Sequence, residues 1–281
     1  MKELFGFGGY QRPAEGYFSW QHIVFVTILM IIMVSLAVFL GIKNRRADDK
    51  TKNKVLIISA ILIDAFEIFK IIIFCIRGND PMGWLGSLPL FLCSIQLITI
   101  PLAAFSKGRV KEAALDFVSI FGLLGAVLGT YAAGNNYSAY PVLSVDNVVS
   151  GITHCISGFA ALYIMISGMT SMKKKNIPIT LTILLSFAVA AYLVNVLVPN
   201  GDSTYNYMFL MRGDGTPYDI LYNMVGGNPV IYPILVVLLF VIYVGVFYWV
   251  YYLIKKKREE SKKDQSAPTG ENEPEKELAE Q

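Results

Sequence analysis

The chain has 281 residues, of which 54% are hydrophobic and only 16% charged, with a net charge of +3 and a mean hydropathy of +0.52. A soluble domain of this size does not carry so much apolar surface. The small excess of basic over acidic residues reads as membrane orientation rather than nucleic-acid binding. Three cysteines in apolar settings, Cys75, Cys93 and Cys155, exclude a disulfide framework.

The first 20 residues lack a basic start followed by an apolar core, so no cleavable signal peptide is expected. A bilayer core needs about 20 mostly apolar residues per helix. Seven stretches meet that length, 20–42, 55–76, 85–104, 113–133, 148–169, 177–198 and 229–254. They are long and do not alternate, which disfavours transmembrane strands.

Span 1 opens with His22. Span 2 holds Asp64, Glu67 and Lys70 along one broad face. Glu67 and Lys70 can pair within the helix. A charge inside a membrane is a functional candidate by default, although an ion pair can also serve packing alone. Span 3 contains Pro89, Cys93 and Gln96, which are expected to share a helical face. A lone membrane cysteine is usually an inert small hydrophobe.

Span 4 carries Gly122, Gly125 and Gly129 and is expected to be a tightly packed interior helix. Span 5 carries His154 on a face with Ser150, Gly151, Ser157, Gly158 and Ala161. That small-residue face is expected to lie inside the bundle. The long Tyr-, Phe- and Met-rich loop between spans 6 and 7 reads as a cap or a partly re-entrant element. Span 7 lacks a strongly polar group in its middle and is expected at the periphery. It is followed by Lys255-Lys256-Lys257-Arg258 and a polar tail that is expected to be disordered.

Basic residues in short loops set orientation. The loops after spans 1, 3 and 5 and the C-terminus together carry 19 Lys and Arg, against four in the remaining loops and the N-terminus. The expected fold is therefore all-α and polytopic, with seven transmembrane helices, the N-terminus outside and the C-terminus cytoplasmic. The expected divisions are an external segment 1–19, a membrane domain 20–254 and a tail 255–281. At the helical rise of 1.5 Å per residue, Cys93 would lie roughly 12 Å deep and His154 roughly 9 Å deep. His22, Glu67, Lys70, Cys93, Gln96, His154 and Asn195 would then all share the outer half of the bilayer.

Several stretches together resemble the YwaF-type family of bacterial integral membrane proteins, grouped with eukaryotic TMEM-series phospholipid acyltransferases. They are Phe18-Ser19-Trp20-Gln21-His22, Glu67 with Lys70, Leu88-Pro89-Leu90-Phe91-Leu92-Cys93, His154, Asn206-Tyr207-Met208-Phe209-Leu210 and Gly226-Gly227-Asn228-Pro229. The likeness spans about 15–250. It implies a Cys–His pair within the membrane, which here is Cys93 with His154. His22, Glu67, Lys70, Gln96, Asn206 and Tyr207 become substrate-binding or supporting candidates. The family pattern reads Leu-Pro-Leu-His-Leu-Cys, and Phe91 stands at the His position.

Two functions compete. One is a lipid acyltransferase or hydrolase in the cell membrane, with Cys93 as nucleophile, His154 as base and Lys70 toward a phosphate or a developing charge. Its partners would be membrane phospholipids, as substrate or environment. The other is a multi-pass transporter or small-molecule receptor using Asp64, Glu67 and Lys70 without covalent chemistry. Neither calls for a cofactor. The His and Cys residues lack the close spacing of a metal motif.

Overall fold

The computed structural model describes residues 6–266 except 11, 79, 81, 171 and 199–204. Residues 255–266 of the tail expected to be disordered instead continue the last helix, Ile231–Ser266, and the rest of that tail lies outside the described residues. The described chain forms α1 Trp20–Asn44, α2 Asp49–Gly78, α3 Gln96–Phe105, α4 Gly108–Tyr131, α5 Gly134–Ala139, α6 Val145–Ser167, α7 Ile177–Leu197, α8 Tyr218–Met224 and α9 Ile231–Ser266. No β-strand occurs among the described residues.

Five segments are long and apolar enough to cross a membrane: α1, the stretch 108–139, α6, the stretch 174–197, and α9 up to Lys257. Two of the seven expected spans differ from these. α2 is 30 residues long but carries Asp64, Glu67 and Lys70 midway. The third stretch is helical only over Gln96–Phe105, preceded by a 3-10 turn at Gly83–Ser87.

The cause of that shortening is local. Pro89 lacks an N–H and disfavours a helical residue before it, and Leu88 is extended at φ −57°, ψ 144°. The chain turns until the Ile95 N–H reaches the Phe91 carbonyl at 2.9 Å. Unwound backbone at membrane depth must be satisfied by protein. The Phe91 N–H donates to Ser94 Oγ at 3.0 Å, and the Leu88 N–H donates to the Tyr207 hydroxyl at 3.2 Å.

Helix ends are capped by residues suited to the task. Ser19 Oγ accepts from the His22 N–H, while His22 Nδ1 accepts from the Phe18 N–H, a reciprocal arrangement like a capping box. Asp48 opens α2: its carboxylate accepts from the Thr51 N–H at 3.3 Å. The Thr51 side chain helps to hold that carboxyl below its ordinary range. Ser144 caps α6, which ends at Gly168 with φ 74°, a left-handed closure that glycine adopts without strain.

α4 and α6 form the centre. The apolar window of the 108–139 stretch is 67% buried and that of α6 56%, against 17% for α1 and 22% for α9. Small residues bring the helices together. A Cβ at Gly122 would stand 2.8 Å from the Ser157 carbonyl oxygen, and one at Gly41 2.8 Å from Ile166 Cβ. α9 turns one stripe inward, Tyr232, Val236, Phe240, Val244 and Tyr248, and leaves Ile234, Leu238, Ile242 and Trp249 exposed. Such continuous apolar exposure suits lipid rather than water.

Side-chain bonds tie each end of the bundle. At one end Arg77 of α2 grips Asp146 of α6 through two bonds of 2.8 and 3.0 Å. The buried Asn195 of α7 donates to the Tyr207 carbonyl and accepts from its N–H. At the opposite, lysine-rich end, Lys111 donates to Asn53 at 2.7 Å and Arg109 to the Lys175 carbonyl at 2.9 Å. Deeper there, the buried Asp116 accepts from Thr170, from Asn176 at 3.1 Å and from Tyr248 at 3.0 Å.

Candidate functional site

A cavity of about 300 Å³ opens between α2, the unwound segment before α3, α5 and α6. Glu67, Lys70, Cys93, Ser94, Asn136, Asp146, Ser150 and His154 give its wall an unusual share of polar groups for a membrane bundle. Four of the candidates drawn from the sequence therefore meet here, namely Glu67, Lys70, Cys93 and His154.

Cys93 follows the break at Pro89 and precedes the first residue of α3. It does not sit in the middle of a helix, so the helical depth and the face shared with Gln96 do not hold for it. The unwinding brings the thiol to the same cavity wall as His154 of α6, near enough for the two groups to interact. The imidazole is oriented from behind. Its Nδ1 lies 2.7 Å from the Ser150 carbonyl oxygen, one turn back on α6. A carbonyl only accepts, so Nδ1 carries the proton and Nε2 is left as the acceptor for the thiol.

α4 lies against both residues. A Cβ at Gly125 would meet Cys93 Cβ at 3.3 Å, and one at Gly129 would meet His154 Nε2 at 2.1 Å. Sequence reasoning took these glycines only as marks of close packing. Their four-residue spacing on one face was the available signal. The small-residue face of α6 divides its work: Ser150 and His154 line the cavity, but Gly151 abuts Leu29 and Phe25 of α1, and Gly158 abuts Met33.

Glu67 and Lys70 pair within α2 at 2.7 Å, with side chains 11% and 16% exposed. Asp64 lies outside the cavity lining. Asp146 lines the cavity and is held by Arg77, which also donates to the Gly6 carbonyl and the Tyr10 hydroxyl. Sequence reasoning missed this second ion pair because its partners stand at the ends of two helices far apart in the chain.

The other candidates lie behind the wall. His22 is fully buried, with Nε2 3.0 Å from the Thr130 carbonyl oxygen and its ring centroid 3.8 Å from that of Tyr137. Both of its nitrogens are occupied, so it joins α1 to α4 and leaves no nitrogen for a substrate. Gln96 is buried and its Oε1 accepts from Thr99 at 3.0 Å. Asn206 folds its own loop, donating to the Arg212 carbonyl and to Asp214. Tyr207 anchors the cavity wall: its hydroxyl donates to the Leu85 carbonyl and its ring lies 5.0 Å from that of Phe91. Phe91 itself faces the cavity. Among the described residues there is no group of three or more His, Cys, Asp or Glu placed to hold a metal.

A family model described as the TMEM164 family matches residues 17–251. No curated protein and no solved structure matches the chain.

Proposed function

We propose, since this chain belongs to the TMEM164 family of membrane proteins, that it is a lipid acyltransferase or hydrolase in the cell membrane, working through Cys93 and His154. The observation that carries this reading is a thiol and an imidazole lining one polar cavity, with Nδ1 committed to the Ser150 carbonyl. A thiol needs such a base to become the attacking thiolate.

In the proposed cycle, Cys93 sulfur attacks an acyl ester carbon and its proton passes to His154 Nε2. The carbon–oxygen bond of the ester breaks, and the departing alkoxide of the lysolipid takes that proton. The acyl group is then a thioester on Cys93. An incoming hydroxyl, from a second lysolipid or from water, gives its proton to His154 and attacks the thioester carbon. The carbon–sulfur bond breaks and the thiolate recovers the proton. Lys70, which lines the same cavity, is suited to a lipid phosphate or to developing negative charge.

The topology proposed with this activity is seven spans, with the N-terminus outside and the lysine-rich end in the cytoplasm. The membrane domain covers 20–254, between an external segment 1–19 and a cytoplasmic segment 255–281. The segregation of basic residues supports it.

The test uses purified protein in liposomes with a radiolabelled acyl phospholipid. The label should attach at Cys93 and be released by hydroxylamine. Cys93→Ala should abolish transfer, and His154→Ala should slow it by about 10²- to 10⁴-fold, the usual share of a general base. Cys75→Ala and Cys155→Ala should keep most activity. Full activity in Cys93→Ala overturns the nucleophile. An unlabelled protein that binds or moves a solute through a Glu67- and Lys70-dependent step would establish the transporter or receptor reading instead.

A further inference from the structure

We propose that Gly125 and Gly129 of α4 are positioning residues for the cavity pair, each setting the place of one partner. The proposal rests on the reading of Cys93 and His154 as nucleophile and base. The two glycines are four residues apart and so lie on one face of α4. A Cβ at Gly125 would meet only Cys93, at 3.3 Å from its Cβ and 3.4 Å from its Cα. At Gly129 the three nearest atoms all belong to the imidazole, His154 Cδ2 at 1.9 Å, Nε2 at 2.1 Å and Cγ at 2.9 Å.

Backbone conformation does not require glycine at either position, since both lie within a regular helix and neither has a positive φ. Glycine in a helix interior costs about 1 kcal/mol relative to alanine. The space is what the two positions provide. α4 acts as a template against which two side chains from separate parts of the chain are brought into register. The contact at Gly129 is also directional. The imidazole is pinned at Nδ1 by the Ser150 carbonyl, so a methyl group pressing on Nε2 and Cδ2 turns the free nitrogen away from the thiol.

Gly122 offers an internal comparison. It lies on the same helix with a crowding between those of Gly125 and Gly129, but its neighbours are the Ser157 carbonyl oxygen at 2.8 Å and Ala161 Cβ at 3.1 Å, an ordinary approach of two helices. A glycine that serves packing alone should behave like Gly122.

The experiment is the rate of Cys93 alkylation by iodoacetamide against pH, in full-length protein in lipid nanodiscs. Cys75→Ala and Cys155→Ala are present throughout, so that one thiol reports. Gly129→Ala should move the profile to higher pH, to that of His154→Ala. It should slow alkylation at pH 7 by about 10-fold, as a one-unit change in thiol ionisation requires. Gly122→Ala should lower thermal stability and leave the profile in place. If Gly129→Ala folds poorly, Gly129→Ala with His154→Ala should recover the fold of His154→Ala, because the clash has lost its partner. Failure of that recovery overturns the proposal. So does an unchanged profile in Gly129→Ala, or an equal change in Gly122→Ala. If His154→Ala itself leaves the profile unchanged, the base assignment falls. If His154→Ala moves it and Gly129→Ala does not, the positioning role alone falls.

Discussion

Glu67 and Lys70 are opposite charges one turn apart, largely withdrawn from solvent and facing the same cavity as Cys93. Breaking a buried pair by removing one partner costs about 3–5 kcal/mol, whereas removing both with apolar residues of similar size is often nearly neutral. Glu67→Leu and Lys70→Leu should therefore each lower the thermal midpoint of the protein in detergent, and the double variant should regain most of the loss. If the double variant folds but transfers no acyl group, the charges serve the chemistry as well. This pair was legible in the sequence because its i, i+3 spacing is local. The family resemblance named Cys93 and His154, but their mutual contact depends on an unwinding that periodicity does not report. Sequence did not separate the two roles open to His22, since a buried histidine with both nitrogens bonded resembles, in sequence, one free to act on a substrate.

At the scale of elements, hydropathy found the apolar stretches but not the interruption within the third. Pro89 was visible; the compensating donors and acceptors were not, since Tyr207 comes from a loop more than a hundred residues away. The knot around Asp116 was likewise invisible, because Thr170, Asn176 and Tyr248 converge on it from the α6–α7 connection and from α9. Asp116→Ala would leave two buried donors, on Asn176 and Tyr248, and the half-buried Thr170 without their acceptor, and a stranded buried donor costs about 1–3 kcal/mol. It should lower the thermal midpoint in detergent markedly. Thr182→Ala, which removes only an exposed bond to the Pro178 carbonyl at 2.8 Å, should leave it almost unchanged. Equal effects from the two would show that the convergence on Asp116 contributes nothing special.

For the whole molecule, composition pointed to an all-helical membrane protein, and the five long apolar helices and the family match over 17–251 agree with it. Orientation rests on charge placement. A phosphatase reporter fused near Tyr137 should be active outside, and a fluorescent reporter fused after Lys257 should fluoresce in the cytoplasm. The reverse pattern would reject the proposed topology. The central place of α4 and α6 was partly legible in their glycines and serines, and the peripheral place of α9 in its lack of polar groups.

The loop between α7 and α8 has a mechanical consequence. Asn195 clasps the Tyr207 backbone, and Tyr207 in turn bonds Leu85 and Leu88 and lies against Phe91. The segment leading to the thiol is thus tethered to α7 through Tyr207. That linkage gives α7 a hold on the wall of the chamber, as a strut ties two beams.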